Sequence, residues 1–118
     1  MPKHALIVED DEATQKLLET LLKRSGLATT IASNGMAAIE LLSAVVYDVV
    51  ILDLMMPHVA GEDVIAFLAG REPRPPVIVC TAAGPKATAD LDRRVVKGLV
   101  RKPFDIQELA QLVEELTT

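Results

Sequence analysis

Five side chains that lie far apart in the chain would work well together: the acids Glu9, Asp10 and Asp53, the hydroxyl of Thr81 and the ammonium of Lys102. Each stands where an apolar run ends. Ala5-Leu-Ile-Val8 leads into Glu9-Asp10-Asp11-Glu12, Val49-Val-Ile-Leu52 into Asp53, Val77-Ile-Val-Cys80 into Thr81, and Gly98-Leu-Val-Arg101 into Lys102. Asp53 is the sharpest case. Val49 to Leu52 has the composition of a strand buried on both faces, and an unpaired carboxylate at such a place costs several kcal/mol. Acids gathered on one rim also repel one another. A hard divalent cation offsets that repulsion with oxygen ligands, and Mg²⁺ is the usual one where a phosphate shares the site. Lys102 adds a fixed positive charge and Thr81 a neutral donor. Cation, lysine, hydroxyl and carboxylate make a cradle for a phosphoryl group, in which an aspartate can act as nucleophile and form an acyl phosphate. Charge on the transferring oxygens is then stabilised by metal and lysine, where most of the catalysis of phosphoryl transfer resides.

The elements that must position these groups alternate strictly. After the first strand, Leu17, Leu18, Leu21 and Leu22 form a helical stripe that stops at Ser25-Gly26. Ala28 to Ala32 is a weaker second strand, expected nearer an edge. Ser33-Asn34-Gly35 opens a helix with Ala38, Ile39, Leu41 and Leu42 turned inward. The strand before Asp53 is followed by a loop with Pro57 and Gly61, then a short helix through Val64, Ile65 and Leu68, with Glu62 and Asp63 in its first turn. A proline-rich turn, Arg71 to Pro76, releases into Val77 to Thr81. Ala83-Gly84-Pro85 breaks the chain before a polar helix expected around Ala87 to Val96. Gly98 to Arg101 makes a fifth strand, and Ile106, Leu109, Leu112, Val113 and Leu116 mark a last amphipathic helix. Five β-then-α units call for a parallel sheet covered by helices on both faces. In such sheets ligands bind outside the carboxyl ends of the strands, the rim on which all five chemical residues fall.

The 118 residues suit one domain, and no stretch reads as a linker to another. Half of them are hydrophobic, with a mean hydropathy of +0.31, enough for a real core. No apolar run is long enough to span a membrane, and MPKHALIVED turns acidic too soon to be a signal peptide. Cys80 is the only cysteine, which excludes an internal disulfide and fits a reducing cytoplasm. Seventeen acids against twelve bases give a net charge of −5 and disfavour direct binding of nucleic acid or an anionic membrane.

The segments LIVEDDE, DVVILDLMMPHVAGED, VIVCTAA and LVRKPF, in this order and spacing, resemble the receiver domain of two-component response regulators, and the likeness covers essentially residues 1–118. It implies a flavodoxin-like, doubly wound five-stranded parallel sheet in the order 2-1-3-4-5, with five helices in a three-layer α/β/α arrangement. It implies Asp53 as phospho-acceptor, and a Mg²⁺ site with Asp10 as direct ligand, Glu9 acting through water, Asp53 itself and the backbone carbonyl of Met55. Thr81 matches the switch hydroxyl, Lys102 the phosphate-contacting lysine, and Pro103 a proline whose peptide bond is typically cis. The implied partners are a sensor histidine kinase or a histidine phosphotransfer protein, and a downstream effector the residues do not identify. Self-association on phosphorylation stays open. Such a domain is a phospho-acceptor rather than an enzyme, although it assists its own phosphorylation and dephosphorylation.

One position departs from the family pattern. Three residues before Lys102 many receivers carry Tyr or Phe, a ring that turns inward when the switch hydroxyl moves; here it is Leu99, and the chain holds only Tyr47, Phe67 and Phe104 as aromatics. The resemblance implies that Met55 and Ala83 stand at positions that influence loss of the acyl phosphate, and neither offers a polar group to orient water, so slow loss is expected. Asp11 and Glu12 read at least as well as a helix start as they do as ligands. His58 reads as a solvated loop histidine, and His4 and Cys80 as packing or surface residues.

Other functions fit less well. A nucleotide- or flavin-binding domain wants glycines after the first strand, where this chain has EDDEATQ. A phosphohydrolase with an aspartyl intermediate would carry an acid two residues after Asp53, where Met55 stands. A receiver-like binding module that works without phosphorylation draws support from Leu99, but has no need of all five chemical residues. A stand-alone receiver and the front of a longer regulator are both compatible with the sequence. A hybrid kinase is less expected, since Met1 falls just before the first strand.

Overall fold

The computed structural model describes residues 2–56 and 59–118, so Pro57 and His58 lie outside the described residues. Strands and helices alternate as β1 (His4–Val8), α1 (Glu12–Arg24), β2 (Ala28–Ala32), α2 (Gly35–Ala44), β3 (Val49–Leu52), α3 (Gly61–Ala69), β4 (Val77–Thr81), α4 (Pro85–Thr88), β5 (Val96–Arg101) and α5 (Ile106–Thr117). The sheet runs β2-β1-β3-β4-β5 with every pairing parallel, the flavodoxin-like order. Every residue of β3 and β4 is buried, because helices cover both faces and the period-two alternation sends neighbouring side chains into different cores. Val50, Leu52, Val77 and Val79 pack with Ala38 and Leu42 of α2 and Val64 and Leu68 of α3. Val49, Ile51, Ile78 and Cys80 pack on the other face with Leu18 and Leu22 of α1 and Leu109 and Val113 of α5. Truncating one of these, such as Ile51 to alanine, costs about 2–5 kcal/mol.

Local chemistry sets the helix ends. The Asp11 carboxylate accepts from the Thr14 amide at 2.9 Å, Asn34 from Ala37 at 2.8 Å, and Asp105 from Gln107 at 2.8 Å, each satisfying a free N–H of a first turn. Asp63 accepts from the Ala60 amide at 3.1 Å, the first-turn role expected of it. Gly26 takes φ +89° just after α1, where a side chain would be strained.

The largest difference from the sequence reading is α4. The expected polar helix around Ala87 to Val96 is a single turn, Pro85–Thr88. Asp92 accepts from the Arg94 amide at 2.9 Å and binds the Arg94 guanidinium at 2.7 Å, a local turn that competes with helix. The sheet takes the rest. Val77 donates to the Val95 carbonyl, and β5 begins at Val96, two residues earlier than expected, with a register shift beside Val77 and Ile78. Two apolar residues of the helical stripes face solvent: Leu17 is 44% exposed on the flank of α1, and Ile106 47% at the start of α5.

Candidate functional site

The acids are held by backbone rather than by loops. Glu9 donates its amide to Ala32 at 3.1 Å and Asp53 donates to Val8 at 3.0 Å, so the parallel ladder runs one residue beyond β1 and β3 and fixes both acids side by side. Lys102 donates to the Thr81 carbonyl at 3.0 Å and continues β5 in the same way. Sheet order then brings the five residues to one rim. Glu9 and Asp53 are buried while Asp10 is exposed, and one carboxylate oxygen from each of the three lies within 4.8 Å of the others.

Lys102 bridges the buried pair. Its Nζ donates to Glu9 Oε1 at 2.5 Å and to Asp53 Oδ2 at 3.3 Å. The other oxygen of Asp53, Oδ1, accepts from the Met55 amide at 3.1 Å, and Glu9 Oε2 accepts from the Asp11 amide at 3.2 Å. Burial pushes the Glu9 carboxyl above its ordinary range, and the negative charge of Asp53 adds to that; the bonds from Lys102 and Asp11 pull the other way without prevailing. For Lys102, burial favours the neutral amine, yet the bond to Glu9 and the charges of Asp53 and Glu9 outweigh it, and its pKa rises. The ammonium is therefore a permanent charge.

Thr81 is fully buried, and its Oγ1 accepts from the Ala83 amide at 3.1 Å. It lies on the rim without bonding to the acids. The Lys102–Pro103 peptide is cis, as the resemblance implies. Asp11 and Glu12 belong to the start of α1, Asp11 as its cap. Met55 is mostly exposed, and its described bond is through its amide. Leu99 is 38% exposed. His4 lies at the opposite end of β1, bonded to Thr30 Oγ1 at 2.7 Å and edge-on to Tyr47, the packing role expected of it. Cys80 is buried in the sheet.

Three residues bear on the site without a sequence signal. Gln15 Nε2 donates to the Glu9 carbonyl at 2.6 Å and to Ser33 Oγ at 3.2 Å, pinning the β1–α1 loop. Gly61 packs so closely under the site that a Cβ there would lie 2.5 Å from the Asp53 carbonyl oxygen. Arg101 donates to the Ala83 carbonyl at 2.5 Å and to Thr88 Oγ1 at 2.9 Å. A glutamine in a first helical turn, a glycine at a helix start and an arginine at a strand end have many ordinary reasons to be there.

The donor set is all oxygen, part buried and part open, with a carboxylate at the solvent side. That suits a hard cation such as Mg²⁺ better than a transition metal, which would draw nitrogen or sulfur. The same acids already accept one positive charge from Lys102, so a cation matches the field of the cluster.

A family model described as the response regulator receiver domain matches residues 5–114. Among curated proteins, the probable transcriptional regulatory protein SilR of Salmonella typhimurium is 37% identical over 118 residues, covering 94% of this chain and 49% of its own. The regulatory protein AtoC of Escherichia coli is 34% identical over 110 residues, covering 92% of this chain and 24% of its own. The chain thus spans half or less of the length of these relatives. Among solved structures, the response regulator TrrA of Thermotoga maritima, in complex with Mg²⁺–BeF, is 30% identical with a TM-score of 0.87, covering 97% of this chain and 98% of that one. A Francisella response regulator receiver domain is 28% identical with a TM-score of 0.88, covering 98% and 96%.

Proposed function

This chain belongs to the response regulator receiver domain family, and on that premise we propose that Asp53 accepts a phosphoryl group from a phosphohistidine of a partner histidine kinase or histidine phosphotransfer protein. Residues 1–118 would form one such domain, working in the cytoplasm. Among the described residues no helix is long and apolar enough to cross a membrane. Glu9, Asp10 and Asp53, with the Met55 carbonyl, would hold Mg²⁺. When bound, the cation would neutralise charge on the phosphoryl oxygens and offset the repulsion among the acids.

Asp53 supplies the attacking carboxylate oxygen; a P–O bond forms as the P–N bond to the histidine breaks. The Met55 amide and Lys102 fix the orientation of that carboxylate before transfer, so little reorganisation is needed. Lys102 follows the negative charge from the carboxylate onto the phosphoryl oxygens, and the Thr81 hydroxyl donates to them. New contacts to the phosphoryl group favour one of two pre-existing surface arrangements, which is how the domain would signal to an effector. Water returns Asp53 to its free state, slowly, because Met55 and Ala83 offer no side-chain group to position it.

The observation that carries this reading is the Lys102 ammonium set between buried Glu9 and Asp53, an ion pair made across 93 and 49 residues of chain. Packed apolar residues in place of such a buried pair would serve stability as well, so a chemical use explains the pair better. The test is intact-mass measurement after incubation with Mg²⁺ and a small phosphodonor. One phosphoryl adduct is expected in the wild type, and none without Mg²⁺ or in Asp53→Ala. No adduct, where a control receiver is labelled, would move the function to a binding module that does not use phosphorylation.

A further inference from the structure

Leu99 and Arg101 alternate with Val100 along β5, so both point away from the core that Val100 joins, and both are exposed. The Arg101 side chain is tied once to the loop of the switch hydroxyl and once to α4. Its guanidinium binds the Ala83 carbonyl at 2.5 Å and the Thr88 hydroxyl at 2.9 Å. Thr88 is buried, and its hydroxyl in turn donates to the Pro85 carbonyl at 3.2 Å. The residue whose carbonyl Arg101 holds is the one whose amide holds Thr81 Oγ1. Arg101 is also paired with Thr81 in the parallel register. A continuous hydrogen-bonded chain therefore runs from the buried switch hydroxyl through Ala83 to an exposed arginine and on to α4.

We propose that Arg101 is a positioning residue for the switch: its guanidinium clasps the β4–α4 loop in the resting arrangement and opens when Thr81 is drawn toward a phosphoryl group on Asp53. This rests on the phosphorylation reading above. In the resting state the clasp fixes Ala83, and Ala83 fixes the Thr81 hydroxyl away from the acids. Once that hydroxyl bonds to a phosphoryl oxygen, the Ala83 amide loses its acceptor and the loop shifts. The charge-assisted bonds from Arg101 are then remade elsewhere, and an arginine, rather than an aromatic ring, changes place on the surface. Leu99 needs no rotation in this mechanism. Because the clasp stabilises only the resting state, it opposes activation.

The sign of its effect separates this role from a purely structural one. Beryllofluoride, a phosphoryl mimic, is titrated with Mg²⁺ into wild type, Arg101→Ala and Thr88→Val, with bound fluorine followed by NMR and the Ala83 and Thr88 amides followed by their chemical shifts. Removing a partly exposed charge-assisted clasp should tighten apparent beryllofluoride affinity roughly fivefold in Arg101→Ala. Thr88→Val, which keeps the Ala83 bond, should tighten it less. In the wild type both amides should shift on binding, and in Arg101→Ala the free protein should already lie part-way along that shift. Unchanged or weaker affinity in both variants, with the wild type binding normally, overturns the clasp and leaves the phosphorylation reading intact. No bound fluorine signal in the wild type overturns both.

Discussion

Replacing Lys102 with methionine keeps the aliphatic stem and deletes the ammonium, and its consequences follow from the burial of its partners. The Glu9 and Asp53 side chains are 2% and 7% exposed, while that of Lys102 is 21% exposed. Removing one member of a buried pair leaves uncompensated charge and costs about 3–5 kcal/mol; the opening of Lys102 to water puts this case near about 3 kcal/mol. With a urea dependence of roughly 1.5 kcal/mol per molar, the unfolding midpoint of Lys102→Met should fall by about 2 M in metal-free buffer at neutral pH. The loss should shrink in acid, because Glu9 already titrates above its ordinary range and a protonated carboxyl no longer needs the ammonium. Mg²⁺ should restore more stability to the variant than it adds to the wild type, since the cation replaces the missing charge. A cation at a hundred times its dissociation constant contributes about 2.7 kcal/mol. Urea unfolding followed by circular dichroism, with and without Mg²⁺, measures both effects. A variant within about 0.5 kcal/mol of wild type, or one that gains less from Mg²⁺ than wild type does, would refute the electrostatic account of the site.

Other outcomes can be checked independently. Asp11→Ala removes the side-chain cap of α1 and should lose about 1 kcal/mol in thermal unfolding, with phosphoryl incorporation unaltered because the amide that binds Glu9 remains. Gly61→Ala sets a methyl 2.5 Å from the Asp53 carbonyl oxygen and 2.7 Å from Leu54 Cα, so backbone must move; calorimetry should show weaker Mg²⁺ binding and a loss of roughly 1–3 kcal/mol in stability. Burial pushes the Cys80 thiol up from 9.0 to about 12, so it should resist alkylation in the folded protein and react on unfolding, as mass spectrometry would record. Its contribution to stability is fully present below 9.0 and is lost as pH rises toward about 12, because the unfolded chain gives up the proton first.

The sequence was most legible where one physical demand dominates. Val49–Leu52, Val77–Thr81 and Ala28–Ala32 fall where their composition puts them, since continuous or β-branched apolar runs have few alternatives to strand. The rim was legible for the same reason: a polar residue closing a core strand stands out. Helix α4 was not, because Ala87 to Val96 mixes helix formers with Asp90 and Asp92, whose side chains can hold turns, and because Val95 and Val96 answer to the sheet. The acids Glu9 and Asp53 and the cation Lys102 could be named from sequence, but not that Lys102 bonds Glu9 more closely than Asp53. That depends on side-chain reach across four strands. Gln15 and Arg101 act through backbone carbonyls, and a residue that grips a carbonyl leaves no partner type in the sequence to betray it.

The separation of Glu9 from Lys102 by 93 residues has a consequence for how the chain is made. The lysine sits just past the last strand, at the sheet edge opposite β2, and reaches the acids only after β5 has docked beside β4. Contacts between such distant residues form late, because loop closure must precede them. A chain folded through β4 alone would have its acids in place and its cation missing. The charge balance of the rim is thus completed only when the final strand docks, so the acids and their cation come together as one of the last parts of the sheet to form.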